Sequence, residues 1–383
     1  MSEPFIPKNP NLPFEEFLND SFIGDRFEIP GGVMVAIGMV IIGTYLLVNQ
    51  LFAPWVERKV MARQQGRRGP VHVGWRGSLQ IPADLLKLIL KEDIRPAGAD
   101  KVGFFLSILI VGTTAILTFA PFPLTGGLLA GNFSVGILYV FAIFSVFPPF
   151  MLVGGWASNS KYALLGGFRS AGQLIAYEIP MFVSILGIIA VTQSFSLIDI
   201  TENQMNGGWF LFRFWGFGLI AGVIFFLSGY AETERVPFDI PEAEAELVMG
   251  PRTEFTGWRY AMIMMSEYLH LFINSLLFIY LFLGGYDPIP IPLDGVSIFG
   301  NEIISTGFLA DFRTNTLIQF LTITGKLYFM VFIAAWLRSS LARFRIDQLL
   351  SLGWKILLPL SLISTLAILG FSDLDVFSYA SET

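Results

Sequence analysis

The sequence contains no cysteine and only two histidines, His72 and His270. A chain without cysteine has no disulfide, no thiolate metal site and no cysteine-ligated iron–sulfur cluster. A bis-histidine haem inside a membrane would need two histidines at membrane depth, and only one lies in an apolar run. We therefore expect no bound redox cofactor in this chain.

Charge is also scarce, since 14% of the residues are charged, 54% are hydrophobic and the mean hydropathy is +0.65. Soluble domains carry roughly 25% charged residues. The composition therefore predicts an all-α integral membrane protein. Residues 1–30 hold six acids before any apolar run, the opposite of a basic signal-peptide start, so we expect no cleaved signal and an uncleaved first span.

Apolar runs of about 20 residues are long enough to cross a bilayer as helices. We predict one membrane domain over 1–383, with an even number of spans and both termini on the same side. The predicted spans number about eight: 32–53, 102–121, 133–155, 172–192, 211–231, 258–283, 316–337 and 354–371.

The basic residues indicate which way these spans run. Of the 24 Lys and Arg residues, 19 fall on one face, four fall on the other, and Lys326 lies inside a span. The positive-inside bias assigns the basic face to the cytoplasm and both termini to the periplasmic side. The expected location is a bacterial inner membrane, and an organelle membrane stays open as an alternative.

The segment 79–92 is too short and too charged to span. Asp84, Lys87 and Lys91 form one polar stripe opposite the leucines. This pattern predicts an amphipathic helix in the interface plane.

The stretch 231–250, within a predicted cytoplasmic loop 231–257, is strongly acidic. Ionisable groups held against a bilayer are costly and mark ion or proton pathways. The stretch has a net charge of −5, and segment 57–101 on the same face has a net charge of +5, so we expect the two to dock. In the alternative interpretation the charges are solvated at the surface and serve only to orient the chain in the membrane. One base, Arg235, accompanies six acids: Glu232, Glu234, Asp239, Glu242, Glu244 and Glu246.

Two further carboxylates, Glu178 and Glu267, lie within predicted spans near the cytoplasmic face. They are candidates for proton coupling, or they are satisfied by interhelical salt bridges. Lys326 is the obvious counter-charge, and whether it pairs with Glu178, Glu267 or the loop acids is open. His270 lies one turn from Glu267 and is either a proton relay or a hydrogen-bonded structural residue.

Motifs along most of the chain resemble those of one family, the NADH dehydrogenase subunit 1 family of proton-pumping NADH:quinone oxidoreductase (respiratory complex I). Besides the acidic loop, they are W-V-E-R-K (55–59), R-R-G-P (67–70), Q-I-P-A-D-L-L-K-L-I-L-K-E-D (80–93), G-G-W-A-S-N-S-K-Y-A-L-L-G (154–166), A-Y-E-I-P (176–180), S-E-Y (266–268), R-F-R-I-D-Q-L (343–349) and G-W-K-I-L-L-P-L (353–360).

The resemblance implies a quinone-access chamber whose carboxylates pass the effect of quinone reduction to pumping subunits. For the chamber we expect Arg58, Lys87, Arg235, Arg338, Arg345 and Asp347. For coupling we expect Glu57, Asp84, Glu178, Glu232, Asp239, Glu242, Glu244, Glu246 and Glu267, to which Glu234 and Lys326 are added on their own chemistry.

The resemblance also implies quinone, ubiquinone or menaquinone, as substrate. The implied partners are the iron–sulfur subunits of the peripheral arm, small membrane subunits, antiporter-like subunits and the lipid bilayer, with no nucleic acid. The sequence departs from the family pattern at Arg68, Glu234, the run 249–251, His270 and Ile346. Arg68 and Ile346 bear on the details of the chamber and its quinone preference.

Two alternatives stay open at this point. One is the homologous membrane subunit of a group 4 nickel–iron hydrogenase or formate hydrogenlyase, which would copurify with hydrogenase subunits. The other is a stand-alone cation or proton transporter, which would be active after reconstitution of this chain alone.

Overall fold

A computed structural model describes residues 31–126, 133–214, 216–241, 244–289, 297–298, 301–302 and 315–380. The regular secondary structure of these residues is helical, apart from two two-residue antiparallel strands, β1 (Ser297–Ile298) and β2 (Asn301–Glu302). The helices are α1 (Gly31–Gln64), α2 (Gln80–Leu90), α3 (Lys101–Leu117), α4 (Gly136–Phe144), α5 (Phe147–Ala157), α6 (Lys161–Thr192), α7 (Leu197–Gly207), α8 (Phe210–Arg213), α9 (Phe217–Glu232), α10 (Glu244–Leu247), α11 (Gly257–Phe282), α12 (Thr316–Ser340), α13 (Ile346–Ser351) and α14 (Leu358–Ala380).

The described residues confirm an all-α membrane protein. Five helical segments among them are long and apolar enough to cross a bilayer: Gly136–Ala157, Lys161–Thr192, Gly257–Phe282, Thr316–Ser340 and Ile346–Phe371. Two shorter apolar helices, α3 and α9, coincide with predicted spans, and the first predicted span lies in α1. The orientation of the termini stays a prediction.

The predicted span 133–155 consists of two helices, α4 and α5, that meet at residues 145–146. Pro148 and Pro149 occupy the first turn of α5. Proline lacks a backbone N–H and fits the first turn of a helix, where that donor has no intrahelical partner. The two prolines therefore begin a new helix within a run that hydropathy alone treats as one.

The helix of the fourth predicted span begins earlier than that span. The predicted span starts at residue 172. Instead α6 runs without a break from Lys161 to Thr192, and Pro180 lies inside it. The helix is longer than the predicted span because it continues through a segment that contains Lys161 and Arg169 and therefore lies outside the apolar run. The span itself stays a prediction.

The amphipathic helix forms as predicted, over Gln80–Leu90 within the expected 79–92. Of its polar stripe, Asp84 faces the protein and accepts a hydrogen bond from Arg58 of α1, whereas Lys87 and Lys91 are exposed. Leu86, Ile89 and Leu90 are exposed on the other side. This arrangement suits a helix that turns its apolar face toward lipid.

Helix α11 is the centre of the bundle, because 67% of its most apolar window is buried inside the protein, the largest share among the candidate spans. It packs against α3, α9 and α12, and its buried residues join a core rich in phenylalanine and tyrosine. The most buried helix therefore also carries Glu267, His270 and Asn274.

Candidate functional site

The acidic loop between α9 and α11 is folded into the protein. Glu234 and Arg235 are 4% and 6% exposed. The side chain of Gln173, in α6, donates hydrogen bonds of 2.8 Å to the carbonyl oxygens of both Ala231 and Phe238. The loop therefore follows α6, and simple solvation does not account for its first half.

One buried ion cluster, the Glu57 cluster, joins Glu57, Arg235 and Arg338 from three distant parts of the chain. The carboxylate of Glu57, 1% exposed, accepts a hydrogen bond of 2.6 Å from Arg235 and a second from Arg338. The Arg235 guanidinium also lies 4.4 Å from the ring centroid of Tyr268. Burial alone would lower the pKa of Arg235, but Glu57 and Tyr268 raise it above its ordinary value, so Arg235 stays charged.

A second buried cluster, the Arg252 cluster, ties the loop to α11. Arg252 donates to Glu234 over 3.2 Å and also forms an ion pair with Glu267. The hydroxyl of Ser170, in α6, donates to the same Glu234 carboxylate. Glu267 therefore follows the plainer expectation of a salt-bridged carboxylate, with its partner supplied by the loop.

A glycine allows this cluster to form. A β-carbon at Gly166 would lie 2.5 Å from the α-carbon of Gly250 and 2.7 Å from the nitrogen of Pro251. Such distances are far inside van der Waals contact. Only glycine in α6 lets the turn Gly250–Arg252 come close enough to bring Arg252 between Glu234 and Glu267.

A third group consists of two carboxylates without a base. Glu232, at the end of α9, is 7% exposed and accepts a hydrogen bond of 3.2 Å from the amide of Asn274. Glu178, half-buried in α6, is near enough to Glu232 for the two carboxylates to repel each other. No Lys or Arg among the described residues forms a salt bridge with Glu178, so its predicted role stays a proposal.

Three more ion pairs lie nearer the surface. Arg169 of α6 pairs with Glu246 at 2.7 Å, and Arg343 pairs with Asp239 at 2.8 Å. The hydrogen bond and charge of Arg169 lower the pKa of the Glu246 carboxyl. The loop is therefore attached at its outer edge to α6 and to the segment before α13.

The third pair joins Arg58 of α1 to Asp84 of α2 over 2.6 Å. Partial burial alone would raise the pKa of Asp84, but the hydrogen bonds from Arg58 and Gln80 outweigh it and lower the pKa below its ordinary value. The amphipathic helix is therefore held to α1 by a carboxylate that stays ionised at neutral pH.

The structure corrects the expectation that Lys326 neutralises a coupling carboxylate. Its ammonium donates to three carbonyl oxygens after the end of α11, those of Leu283, Gly285 and Asp287, at 2.6, 3.0 and 2.6 Å. It also lies 4.4 Å from the ring centroid of Trp209. Free carbonyls at a helix C-terminus attract a cation, so Lys326 serves the end of α11 opposite the acidic loop.

The basic and acidic segments are in contact, but the bases in these contacts come from the acidic side and the acids from the basic segment. Arg235 of the acidic loop pairs with Glu57 of the basic segment at 2.6 Å. Arg259, at the start of α11 just after the loop, pairs with Asp93 of the basic segment at 3.0 Å. Thr256 adds hydrogen bonds to the backbone of Ile94. These contacts are made by single arginine–carboxylate pairs, and not by the net charges of the two segments.

The remaining predicted residues are spread out. Lys87, Arg345 and Asp347 are exposed on the surface. Glu242 lies outside the described residues, and of Glu244 only the backbone, in α10, is described. The cluster residues thus come from a subset of the predicted positions.

His270 does not pair with Glu267 in this structure. It is 3% exposed and packs edge-on against Phe144 and Phe147, at ring-centroid distances of 5.4 and 4.3 Å. Its Nε2 atom has no hydrogen-bond partner among the described residues. The environment of His270 is therefore aromatic and apolar, and both roles stay predictions.

Sequence reasoning missed four residues that build the site: Ser170, Gln173, Arg252 and Asn274. Arg252 counted only as part of the topology signal. Gln173 and Asn274 are amides inside apolar helical runs. A buried amide needs hydrogen-bond partners, so this position was the signal that could have identified both as site residues. Ser170 carried no such signal.

A family model described as NADH dehydrogenase matches residues 36–369 of this chain. The match covers all the clusters described above, and it agrees with the membrane helices found among the described residues. Those residues contain no group of three or more His, Cys, Asp or Glu side chains that could hold a metal ion. The chain belongs to the NADH dehydrogenase subunit 1 family, whose members are membrane subunits of complex I.

Proposed function

We propose that the chain forms the quinone-access chamber of complex I and that its buried carboxylates couple quinone reduction to proton translocation. The observation that carries the proposal is the pairing of Arg235, in the acidic loop, with Glu57 of α1 and, through it, with Arg338 of α12. Glu232, at the end of α9, lies only three residues before Arg235. A movement of Arg235 in the Glu57 cluster therefore acts on Glu232 through this short stretch of backbone.

The first step is a change of charge near the Glu57 cluster. Reducing a quinone to the quinol consumes two electrons and two protons, and a neighbouring iron–sulfur subunit supplies the electrons. The proton demand falls on ionisable groups around the chamber. In a low-dielectric setting, a charge that appears near Glu57 acts strongly on its two arginine partners.

The second step is movement of the loop. Arg235 and Arg252 anchor the loop at two points, to Glu57 of α1 and to Glu267 of α11. A shift of Arg235 therefore pulls on a segment whose other anchor lies on the central helix. The close contact at Gly166 leaves the turn around Arg252 little room, so we expect motion concentrated between the two anchors.

The third step uses Glu232 and Glu178. Two carboxylates that repel each other bind a proton more readily when their surroundings become less polar or more negative. Each elementary charge moved across 100 mV requires about 2.3 kcal/mol, the scale of a pKa shift of about 1.7 units. Neighbouring membrane subunits then receive the charge change at the half-buried Glu178.

The test replaces Glu232 or Glu246 by glutamine in the whole complex and measures quinone reduction and proton pumping in membrane vesicles. We expect Glu232→Gln to lower both activities strongly and Glu246→Gln, at an exposed pair, to lower them less. Ser184→Ala, which removes a buried hydroxyl bonded only to its own helix, is the matched control. Wild-type values for both activities in Glu232→Gln would overturn the proposal.

The subunits that copurify with the chain test the assignment to complex I independently. Mass spectrometry should find the iron–sulfur and antiporter-like subunits, together with NADH-dependent quinone reduction. Nickel–iron hydrogenase subunits without quinone-dependent activity would instead place the chain in a hydrogenase complex.

A further inference from the structure

Asn274 lies at the same level of the bundle as Glu232 and faces it from the central helix. Its side-chain amide donates to the carbonyl oxygen of Gly229 at 2.8 Å and to the carboxylate of Glu232 at 3.2 Å. A β-carbon at Gly229 would lie 3.3 Å from Cγ of Asn274. The small residue thus brings α9 and α11 close enough for one amide to hold both the backbone and the carboxylate.

The other half of the same side chain is unsatisfied. The Oδ1 atom of Asn274 is buried and has no hydrogen-bond partner among the described residues. A buried acceptor without a donor costs about 1–3 kcal/mol, and native structures usually satisfy such atoms with protein groups or ordered water. The amide nitrogen of Asn274 donates to Gly229 and Glu232, whereas its Oδ1 atom still needs a hydrogen-bond donor.

A small cavity lies beside this amide, between α9, α11 and α12. Its lining includes Asn274 and Ser275 from α11, Gly229 and Tyr230 from α9, and Ala334 from α12. The space suits about one water molecule, which needs two to four polar partners. The Tyr230 hydroxyl, 2.7 Å from the carbonyl oxygen of Val236, and the Oδ1 atom of Asn274 both offer oxygen atoms that can accept from water.

We propose that Asn274 is a positioning residue for Glu232, and that the cavity beside it holds an ordered water molecule bonded to Asn274 Oδ1 and to Tyr230. This inference rests on the proposed coupling function. It gives the Glu57 cluster a hydrogen-bonded link to Glu232: Val236, next to Arg235, contacts Tyr230, and the water and Asn274 complete the path. The link runs through α9 and α11 without any ionised side chain between its ends.

The test uses the whole complex and the infrared difference spectrum that accompanies quinone reduction. Glu232→Gln identifies the carboxyl band of Glu232 by removing it. In Asn274→Leu we expect that band to move to higher wavenumber, because its carbonyl loses a hydrogen-bond donor, and quinone reduction to fall roughly tenfold, the scale of one charge-assisted hydrogen bond. NADH oxidation by ferricyanide, which needs no quinone site, reports assembly.

Ser275→Ala is the matched control, since Ser275 lines the same cavity but bonds to Leu271 of its own helix, and we expect the Glu232 band to stay in place. Should Asn274→Leu fail to assemble, Asn274→Asp keeps the shape, replaces the donor by a carboxyl group and should also move the band. A Glu232 band that is unchanged in the Asn274 variants overturns the positioning role. If Glu232→Gln itself removes no band and loses no activity, the coupling function fails instead.

The water is tested separately by a high-resolution map of the complex. We expect density within hydrogen-bond distance of both Asn274 Oδ1 and the Tyr230 hydroxyl in the wild type, and no density there in Asn274→Leu. A map that shows comparable buried waters elsewhere and none in this cavity overturns the water site.

Discussion

Arg235 and Glu57 lie 178 positions apart in the sequence, yet the guanidinium of one donates to the carboxylate of the other over 2.6 Å. Both side chains are buried, and Arg338 binds the remaining carboxylate oxygen. A buried carboxylate shared by two guanidinium groups is stabilised in its charged form by both, so the loss of either one weakens that stabilisation. The first predictions follow from this dependence.

We expect Arg235→Met to destabilise the subunit and to remove most quinone reduction. Removing one partner of a buried ion pair costs about 3–5 kcal/mol where the other charge is left without compensation. Because Arg338 stays paired with Glu57, we expect the cost here to be smaller than that. The measurement compares NADH:quinone with NADH:ferricyanide activity in membranes. Arg213→Gln is the matched control and should behave as wild type. Arg213 is exposed, donates a hydrogen bond to Asn203 and forms no ion pair among the described residues. Equal quinone rates in Arg235→Met and Arg213→Gln would contradict the role of this pair.

We expect Arg252→Met to lower the melting temperature of the complex and Glu234→Gln to restore part of it in the double variant. Arg252→Met leaves Glu234 as a buried charge, and the second change removes that charge. Contacting residues in one network show interaction energies of about 0.5–3 kcal/mol, so the two effects should not add. A double variant less stable than Arg252→Met alone would show that Glu234 and Arg252 do not depend on each other.

Much of the fold follows from the sequence, because a long apolar run has few alternatives in lipid. The spans 258–283 and 316–337 match α11 and α12 to within a few residues at each end. Helix bounds differ from the predicted spans where a helix continues beyond the apolar run, as at the start of α6. They differ also where prolines start a new helix within one apolar run, as in α5.

The sequence identifies many of the charged residues of the site, but it does not identify which residues pair with each other. The acidic loop and Glu57 stand out as charges against apolar sequence, whereas the partner of each charge depends on how the helices pack. Lys326 shows the difference. It was the only base well inside a predicted span, yet its nearest acceptors are backbone carbonyls after α11, which no pattern of side chains reveals.

The position of Lys326 gives a further prediction. We expect Lys326→Met to increase hydrogen exchange over residues 283–289, since three carbonyl oxygens lose their donor, and to change NADH:quinone activity by less than about threefold. Lys326→Arg keeps the charge and should protect this segment partly. Hydrogen–deuterium exchange with mass spectrometry of the purified complex measures the first effect. Loss of quinone reduction with unchanged exchange at 283–289 would instead support a role for Lys326 as the counter-charge of a coupling carboxylate.

The last prediction concerns pH and the attachment of α2. The pKa of Asp84 is lowered in the folded protein, so its pair with Arg58 contributes stability above the unfolded-state pKa of about 3.9 and loses it only as pH falls through the lower folded value. Because both side chains are partly exposed, the contribution is at most about 1 kcal/mol and weakens with salt. Asp84→Asn should therefore raise hydrogen exchange over residues 80–90.

The difference in exchange between Asp84→Asn and wild type, corrected for the intrinsic pH dependence of exchange, should be constant between about pH 5 and 8, because Asp84 stays ionised throughout this window. Raising the salt concentration should shrink it at every pH, since a partly exposed pair is screened. Lys91→Gln is the matched control, because it removes an exposed charge at the end of the same helix and leaves the Arg58–Asp84 contact intact. A difference that fades between pH 8 and 5 would mean that another titrating group, and not the Asp84 carboxylate, holds α2 against α1.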